Sequence, residues 1–506
     1  MDRELLGDKR EDEGNDGDKP ADDTDVREDS RTGKTESKKE GENLVEKIGR
    51  VVDHFLPKLN EWLSGIKDKR NPLLITYSQR TIIWTGIMMY VTRLGSRRQI
   101  GLELRREKCF EGIGELSGQK GIEQVPHGDT VEYCIQQTEI KEFEDVNKKM
   151  IQRLIRMRVL EGSRLQGHYL LVIDGVHIST FDYAHCPKCV KREHKSGKVQ
   201  WQHYKVQGSI VTPSGLYLPV SCEWIENEEF YDKQDCENKA AKRLIKKIRE
   251  AYPQLKICAL LDSLYASEPM FEVLEEAGME WIVLFQEGAM PEVWEWIRKM
   301  MTKRAEGNEL VDRKEVEIKS RERRDHQERI EREVQTGGVR REKKERKYTW
   351  INEVEHWENK RKYNLLTCKE SIDGKMKCEY TWLVSSGIKL DEKTVRQVAQ
   401  AGRCRWKIEN EGNNVQKNGG YNLEHLYSRD EHSMKIWCIL LDIAHIISQL
   451  LEHGSLIVKE MYGSSQNLAK RIYEHLCHRV FKKPPRWPRC QIRLFQKHVN
   501  FGWDTS

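Results

Sequence analysis

The chain has 506 residues, with 87 Lys and Arg against 82 Asp and Glu and a formal net charge of +5. That length gives room for two or three domains and a sizeable core, and 13 cysteines at mostly irregular spacing read as reduced thiols rather than a disulfide framework. Met1-Asp-Arg-Glu begins no signal peptide, and the longest apolar stretch, Cys438 to Leu451, is interrupted by Asp442 and His445 and is too short to span a bilayer; a soluble cytoplasmic protein without membrane contact is expected.

Residues 1–43 carry nine Lys/Arg against sixteen Asp/Glu and almost no apolar side chains, so they cannot offset the entropy of ordering and read as a disordered acidic tail. Their net charge of −7 leaves +12 for residues 44–506, a balance suited to a polyanionic partner. Residues 44–165 read as a helical N-terminal region, with helical apolar spacing in 44–52 and 146–157. His127-Gly-Asp-Thr marks a helix start with Asp129 or Thr130 as its cap. This region is a candidate for DNA binding but holds no specific helix-turn-helix signature.

From Tyr169 the texture changes. Tyr169-Leu-Leu-Val-Ile-Asp174 and Ile257-Cys-Ala-Leu-Leu-Asp262 each drive an apolar run into a terminal aspartate, the pattern of buried strands that deliver a carboxylate at a sheet edge. Between them come strands at 202–211 and 216–224, joined by the turn Thr212-Pro-Ser-Gly215, and an amphipathic helix over 235–252. A helix at 268–277 and a strand at 281–285 follow. The fold class expected for 166–287 is therefore α/β, a mixed sheet flanked by helices.

Residues 288–390 form a charged and β-rich insertion. Within it, 303–347 is dense in charge of both signs and reads as an exposed charged helix or a mobile loop, while 348–386 returns to aromatic and β-branched strands with an Asp373-Gly374 turn. Residues 391–450 hold a helix capped by Asp391 and bearing Glu409, which completes the core. Residues 451–506 form a basic C-terminal region; from 452 onward ten Lys/Arg face four acids, as a solvated face or a phosphate-binding one.

Asp174, Asp262 and Glu409 are three carboxylates from distant parts of the chain, and their oxygens suit hard divalent cations such as Mg2+ or Mn2+. In this order, on a strand–strand–helix scaffold with a β-rich insertion before the glutamate, they resemble the Asp-Asp-Glu (DDE) transposases of bacterial insertion sequences, which have an RNase H-like core. The resemblance covers roughly residues 165–450. It is most specific in Arg403-Cys-Arg-Trp-Lys-Ile-Glu-Asn-Glu and the following Gln416-Lys-Asn-Gly-Gly-Tyr-Asn-Leu-Glu-His425, which is similar to the YREK signature of tyrosine, arginine, glutamate and lysine separated by two, three and six residues. Arg405 and Glu409 match that spacing. The tyrosine slot is Gly402, the lysine slot is Gln416, and Lys417 comes one residue late. In a regular helix position 416 falls near the meridian of Glu409 and Lys417 is turned about 80° from it, unless the helix loosens at Gly412-Asn-Asn. The resemblance implies metal-dependent cleavage at transposon ends and strand transfer to target DNA. It also implies double-stranded DNA as partner, a homodimer or higher synaptic assembly, and phosphate contacts from Arg405, Lys417 and the neighbouring Arg403. A non-catalytic DNA-binding protein derived from such an enzyme is the alternative reading, and a structural zinc-binding interaction protein a second.

Between the first strand and its partner lies His185-Cys186-Pro-Lys-Cys189-Val-Lys-Arg-Glu-His194, with His203 nine residues on. Thiolates and imidazoles in this number suit tetrahedral Zn2+. Cys186, Cys189, His194 and His203 are the expected quartet, with His185 a competitor for either histidine, and Lys188, Lys191, Arg192, Lys195 and Lys198 nearby could contact phosphates. Trp201 and Tyr204 suit either base stacking or cross-strand packing; Tyr421 and His425 are open to DNA contact or to packing.

Overall fold

The computed structural model describes residues 43–106, 108–227, 235–303, 308–318, 340–355, 360–454 and 464–478. The acidic tail, apart from its last residue, and most of the basic C-terminal region lie outside the described residues.

The N-terminal region is helical, as its spacing predicts. Helix Gln79–Val91 is apolar on every face, which requires burial all round, and it packs against the long helix Glu431–Gly454. The two helices meet closely at Gly86, where a Cβ would stand in van der Waals contact with Leu440 at 3.4 Å and the Trp437 ring at 3.5 Å. The apolar window of Glu431–Gly454 is long enough to cross a bilayer, but all of it is buried inside the protein. The cap at residue 127 differs from expectation. His127 itself caps helix Gly128–Gln136, its Nδ1 accepting from the Asp129 N–H at 3.2 Å.

Among the described residues, ten strands form one sheet: β1 (Tyr169–Phe181), β2 (Val190–Glu193), β3 (Val199–Val211), β4 (Tyr217–Ile225), β5 (Ile257–Leu261), β6 (Glu280–Leu284), β7 (Asn308–Ile318), β8 (Arg340–Glu355), β9 (Lys362–Ile372) and β10 (Lys375–Ser385). Their order is β2-β3-β1-β5-β6-β10-β9-β8-β7, with β4 beside β3. β1, β3 and β4 are antiparallel; β5 and β6 continue from β1 in parallel. Helices Glu237–Ala251 and Glu268–Glu276 supply the crossovers that bring the chain to β5 and then to β6. This is the RNase H-like mixed sheet. Every residue of β5 is buried, as a parallel strand covered on both faces must be.

The insertion is β-rich as expected, but it is not set apart from the core. β10 pairs antiparallel with β6, so β7–β10 extend the same sheet as a meander. The reading of 303–347 as an exposed helix or loop is corrected, since 308–318 and 340–347 are strand; 304–307 and 319–339 lie outside the described residues. Charges on both faces of these strands hide the period-two signal that would have marked them. The Asp373-Gly374 turn is present, both residues holding positive φ (50° and 77°) as a tight β9–β10 hairpin demands.

Candidate active site and a cysteine–histidine cluster

β1 and β5 are parallel neighbours with Val172 opposite Leu260. Two residues further along stand Asp174 and Asp262, so the register brings both aspartates to the same level where β5 ends, on chains about 4.8 Å apart. β1 does not close at Asp174, as its apolar run suggests, but continues to Phe181 with Asp174 opposite Gln207 of β3. Asp262 also caps the turn Ser263–Tyr265, its Oδ1 accepting from the Ser263 N–H at 2.7 Å. Its other oxygen faces the Arg405 guanidinium at 3.5 Å, and Arg405 is only 5% exposed. Burial pushes the Asp174 carboxyl up to about 6, against the pull of Arg405 and with added repulsion from Glu237 and Asp262.

Glu237 is a residue that sequence reasoning missed. It opens helix Glu237–Ala251, and its carboxylate presses on β1 at Gly175, where a Cβ would meet it at 2.6 Å. The Tyr265 hydroxyl donates to its Oε1 at 2.6 Å. A side chain at position 175 would displace this carboxylate, so the glycine beside Asp174 leaves it room where it lies. A glycine after the aspartate was the available signal, but nothing local says what fills the space.

Arg405 and Glu409 follow helix Val395–Arg403, whose approach Asp391 caps by accepting from the N–H groups of Lys393 and Thr394 at 3.0 and 2.9 Å. Ile408–Asn413 then forms a wide π turn before helix Asn414–Asn418. Such a turn absorbs one extra residue, which returns Lys417 to within about 20° of the Glu409 meridian. Burial agrees. Gln416 would share the exposure of Glu409 in a regular helix, yet it is 1% exposed while Glu409 faces solvent. Gln416 instead donates to Asp442 Oδ1 at 2.9 Å, and Asp442 pairs with the buried Lys205 at 3.5 Å. The polar interruptions of the long helix thus anchor the wide turn. Lys417 pairs with Glu424 at 2.9 Å, and Glu424 also meets Nδ1 of His177 on β1 at 3.0 Å. Gly402, in the tyrosine slot, lies against Trp382, whose indole nitrogen would sit 2.6 Å from any Cβ.

The structure therefore brings together Asp174, Asp262 and Arg405. Glu409 sits on the wide turn that packs against β1 and β4, but its side chain forms no hydrogen bond or ion pair among the described residues. Arg403, expected at DNA, is turned inward: its guanidinium pairs with Glu370 on β9 at 2.9 Å and lies over Tyr380. With Arg346, it overrides burial and holds the Glu370 carboxyl down to about 2. Tyr421 is buried beneath the Arg93 guanidinium, 3.1 Å from its ring centroid, which is packing. His425 is exposed, its ring edge-on to Tyr427. Half-buried Tyr204 donates to Gln202 at 2.9 Å and meets His177 edge-on, and half-buried Trp201 pairs in register with Phe181.

The second cluster is His185, Cys186, Cys189 and His203, whose ligand atoms all lie within 4.8 Å of one another. His185 takes the place expected for His194. β2 carries the chain away from Cys189, so His194 stands five residues on, roughly 15 Å in extended chain, where it meets Gln200 Oε1 at 2.7 Å. His185 adjoins Cys186 directly and stacks on Phe181 with centroids 4.1 Å apart. Burial, with His185 nearby, pushes the His203 imidazole down to about 4, which keeps it neutral. Lys188 is engaged with Glu431 at 2.9 Å and Lys198 with Asp182 at 3.1 Å, both within the protein.

No curated protein matches the chain. Among solved structures, a piggyBac transposase synaptic complex with hairpin DNA, determined by cryo-EM, matches at 10% identity and a TM-score of 0.39, covering 91% of this chain and 86% of that one. The family model described as the transposase DDE domain matches residues 165–447, more than half of the sequence, spanning β1 through the long helix and including both aspartates, Arg405 and Glu409; the chain belongs to the DDE-domain transposases.

Proposed function

We propose that the protein cleaves DNA at transposon ends and transfers the freed strand to target DNA in a reaction that depends on Mg2+ or Mn2+. The observation that carries this reading is the pair Asp174 and Asp262, level on adjacent strands, with the Arg405 guanidinium held against Asp262. The site fits a divalent cation: carboxylate oxygens are the donors such ions prefer, and the buried Asp174 carboxyl, raised by burial and by its acidic neighbours, gains when positive charge arrives. Asp174 and Asp262 would hold the ions, and Glu409 is the acid on the wide turn available to join them. Held there, divalent ions would supply activation of a water or a terminal 3′-hydroxyl and stabilisation of the leaving oxygen.

The chain's own residues position the DNA. Lys417, on the meridian of Glu409, and Arg405 offer charged donors to phosphates. Arg405, which faces Asp262 at 3.5 Å, would be free to turn to a phosphate if a cation took that carboxylate. Double-stranded DNA, as ends and as target, is the partner, and pairing of two ends calls for a dimer or larger assembly. The basic balance outside the acidic tail supports this partner.

The test is end-specific cleavage of linear element ends by purified protein in Mg2+, compared with Glu409→Gln. The variant keeps shape and loses charge; cleavage should fall by orders of magnitude while DNA affinity holds or rises. The exposed, unpartnered Glu409 favours the other reading, a DNA-binding protein without turnover. That reading wins if parent and variant bind ends equally and neither cuts with any divalent ion.

A further inference from the structure

We propose that His185, Cys186, Cys189 and His203 bind one structural zinc ion, which clamps the outer ends of β1 and β3. The chemistry and the spacing agree. Two cysteine sulfurs and two imidazole nitrogens are a donor set of the softness and number that tetrahedral zinc takes. With Zn–S near 2.3 Å and Zn–N near 2.0–2.1 Å, a tetrahedron has sulfur–sulfur edges of about 3.8 Å and sulfur–nitrogen edges of about 3.6 Å. Here Cys186 Sγ lies 3.5 Å from Cys189 Sγ and 3.6 Å from His203 Nε2, and Cys189 Sγ lies 3.2 Å from the same nitrogen. A disulfide would need its sulfurs about 2.05 Å apart.

The surroundings are those of a permanent site. Cys189 is buried, and Nδ1 of His185 is buried with no hydrogen-bond partner among the described residues. The knuckle turns on the Cys189 N–H to Cys186 carbonyl bond, 3.3 Å. Asn227 holds it from outside, its side-chain amide donating to the Cys189 carbonyl at 3.0 Å and its N–H to the Lys188 carbonyl at 3.3 Å. His203 is paired with Ser179 of β1, and His185 stacks on Phe181, the last residue of that strand. One ion would therefore join the end of β1, the knuckle and β3, in the half of β1 that runs on from Asp174.

Protein purified under reducing conditions without added metal should contain about one zinc per chain by elemental analysis. Exchange with Co2+ should give the visible spectrum of a tetrahedral thiolate–imidazole site. His185→Ala and Cys189→Ser should each lose the ion and open the 182–203 segment to proteolysis, while His194→Ala should keep both ion and resistance. If Cys189→Ser fails to fold, release of zinc from the parent protein on titrating its thiols with a mercurial gives the same answer. Zinc well below one per chain, a Cys186–Cys189 disulfide in reduced protein, or zinc lost with His194→Ala but kept with His185→Ala would each overturn the inference. It stands apart from the reaction at Asp174 and Asp262: protein that holds zinc and cuts no DNA sinks the proposed function alone.

Discussion

Asp174, Asp262 and Glu409 come from a strand, a strand end and a wide helical turn scattered between positions 174 and 409, whereas His185, Cys186, Cys189 and His203 all lie within residues 185–203. The two clusters are also in different states. The four thiol and imidazole ligand atoms already stand within 4.8 Å of one another, and none forms an ion pair with another side chain among the described residues. In the carboxylate site, by contrast, Arg405 occupies Asp262 and Glu409 points into solvent. Chain that travels far to build a site can leave it open, with groups that exchange partners when cations and phosphates arrive; chain that stays local builds a staple. The first arrangement suits turnover and the second suits stability.

The largest effect that would break this comparison lies at the open site. Asp262→Asn would remove a proposed cation ligand, so cleavage of element ends should fall by orders of magnitude. Thermal unfolding should change less than for a fully buried pair, because Asp262 is over a third exposed, its cap to Ser263 survives through the amide oxygen, and an amide can still accept from Arg405. Variant and parent compared by cleavage rate and by melting temperature separate the two quantities. Activity retained in the variant would remove Asp262 from the chemistry.

Next in size is the support beneath the wide turn. Lys205, Asp442 and Gln416 are buried together, and Asp442→Asn leaves the Lys205 ammonium without its counter-charge. Breaking one side of such a pair costs about 3–5 kcal/mol, which urea unfolding should register. Because the network holds Gln416 inward, the variant should also loosen the segment carrying Glu409 and Lys417, seen as faster amide exchange over 408–418. A loss below about 1 kcal/mol would mean that the pair contributes little to holding the turn.

How much of this was legible in sequence follows the same divide. The two aspartates were, because an apolar run closed by a carboxylate is a local pattern, although β1 runs on past Asp174 to Phe181; so were the Asp373-Gly374 turn and the Cys186–Cys189 pair. His185 over His194 was not, since it depends on β2 leading away from the knuckle, a matter of direction rather than composition. β7 and β8 were hidden by charge on both faces. The wide turn at 408–413 was foreseen only as a condition, a loosening at Gly412 that would bring Lys417 round, and the cause lay elsewhere, in Asp442 and His445 on a helix that sequence marks only as an interrupted apolar run. Glu237 and the contact of Gly402 with Trp382 join segments far apart in sequence, which no single stretch encodes.

That last contact makes a sharper test of the family signature. Tyrosine at position 402 would match the signature, but Gly402→Tyr drives a Cβ into the Trp382 indole, which is itself buried and stacked on Tyr380. Overpacking of this kind costs about 1–3 kcal/mol, so restoring the signature should lower stability and shift the helix that leads to Arg405. Gly402→Tyr with Trp382→Ala should recover part of that loss. If the single variant is as stable as its parent, the glycine is no adaptation to Trp382.

The smallest effect concerns charge at the open site. The raised Asp174 pKa means that the folded protein binds this proton more tightly than the unfolded chain, so the group's contribution to stability declines as pH rises from about 4 to about 6. Cation uptake runs the other way, because the ion needs the carboxylate, and Mn2+ binding followed by electron paramagnetic resonance should weaken as pH falls through about 6. Burial is the main cause of the raised value, and repulsion from Glu237 adds to it. Glu237→Gln keeps the shape against Gly175 while removing that repulsion, so the midpoint should move to lower pH. The shift should be less than the full displacement, since burial of Asp174 is untouched. A midpoint that stays in place would show that the Glu237 charge is screened from Asp174, and one that rises would mean that Glu237 acts on the cation more than on its neighbour.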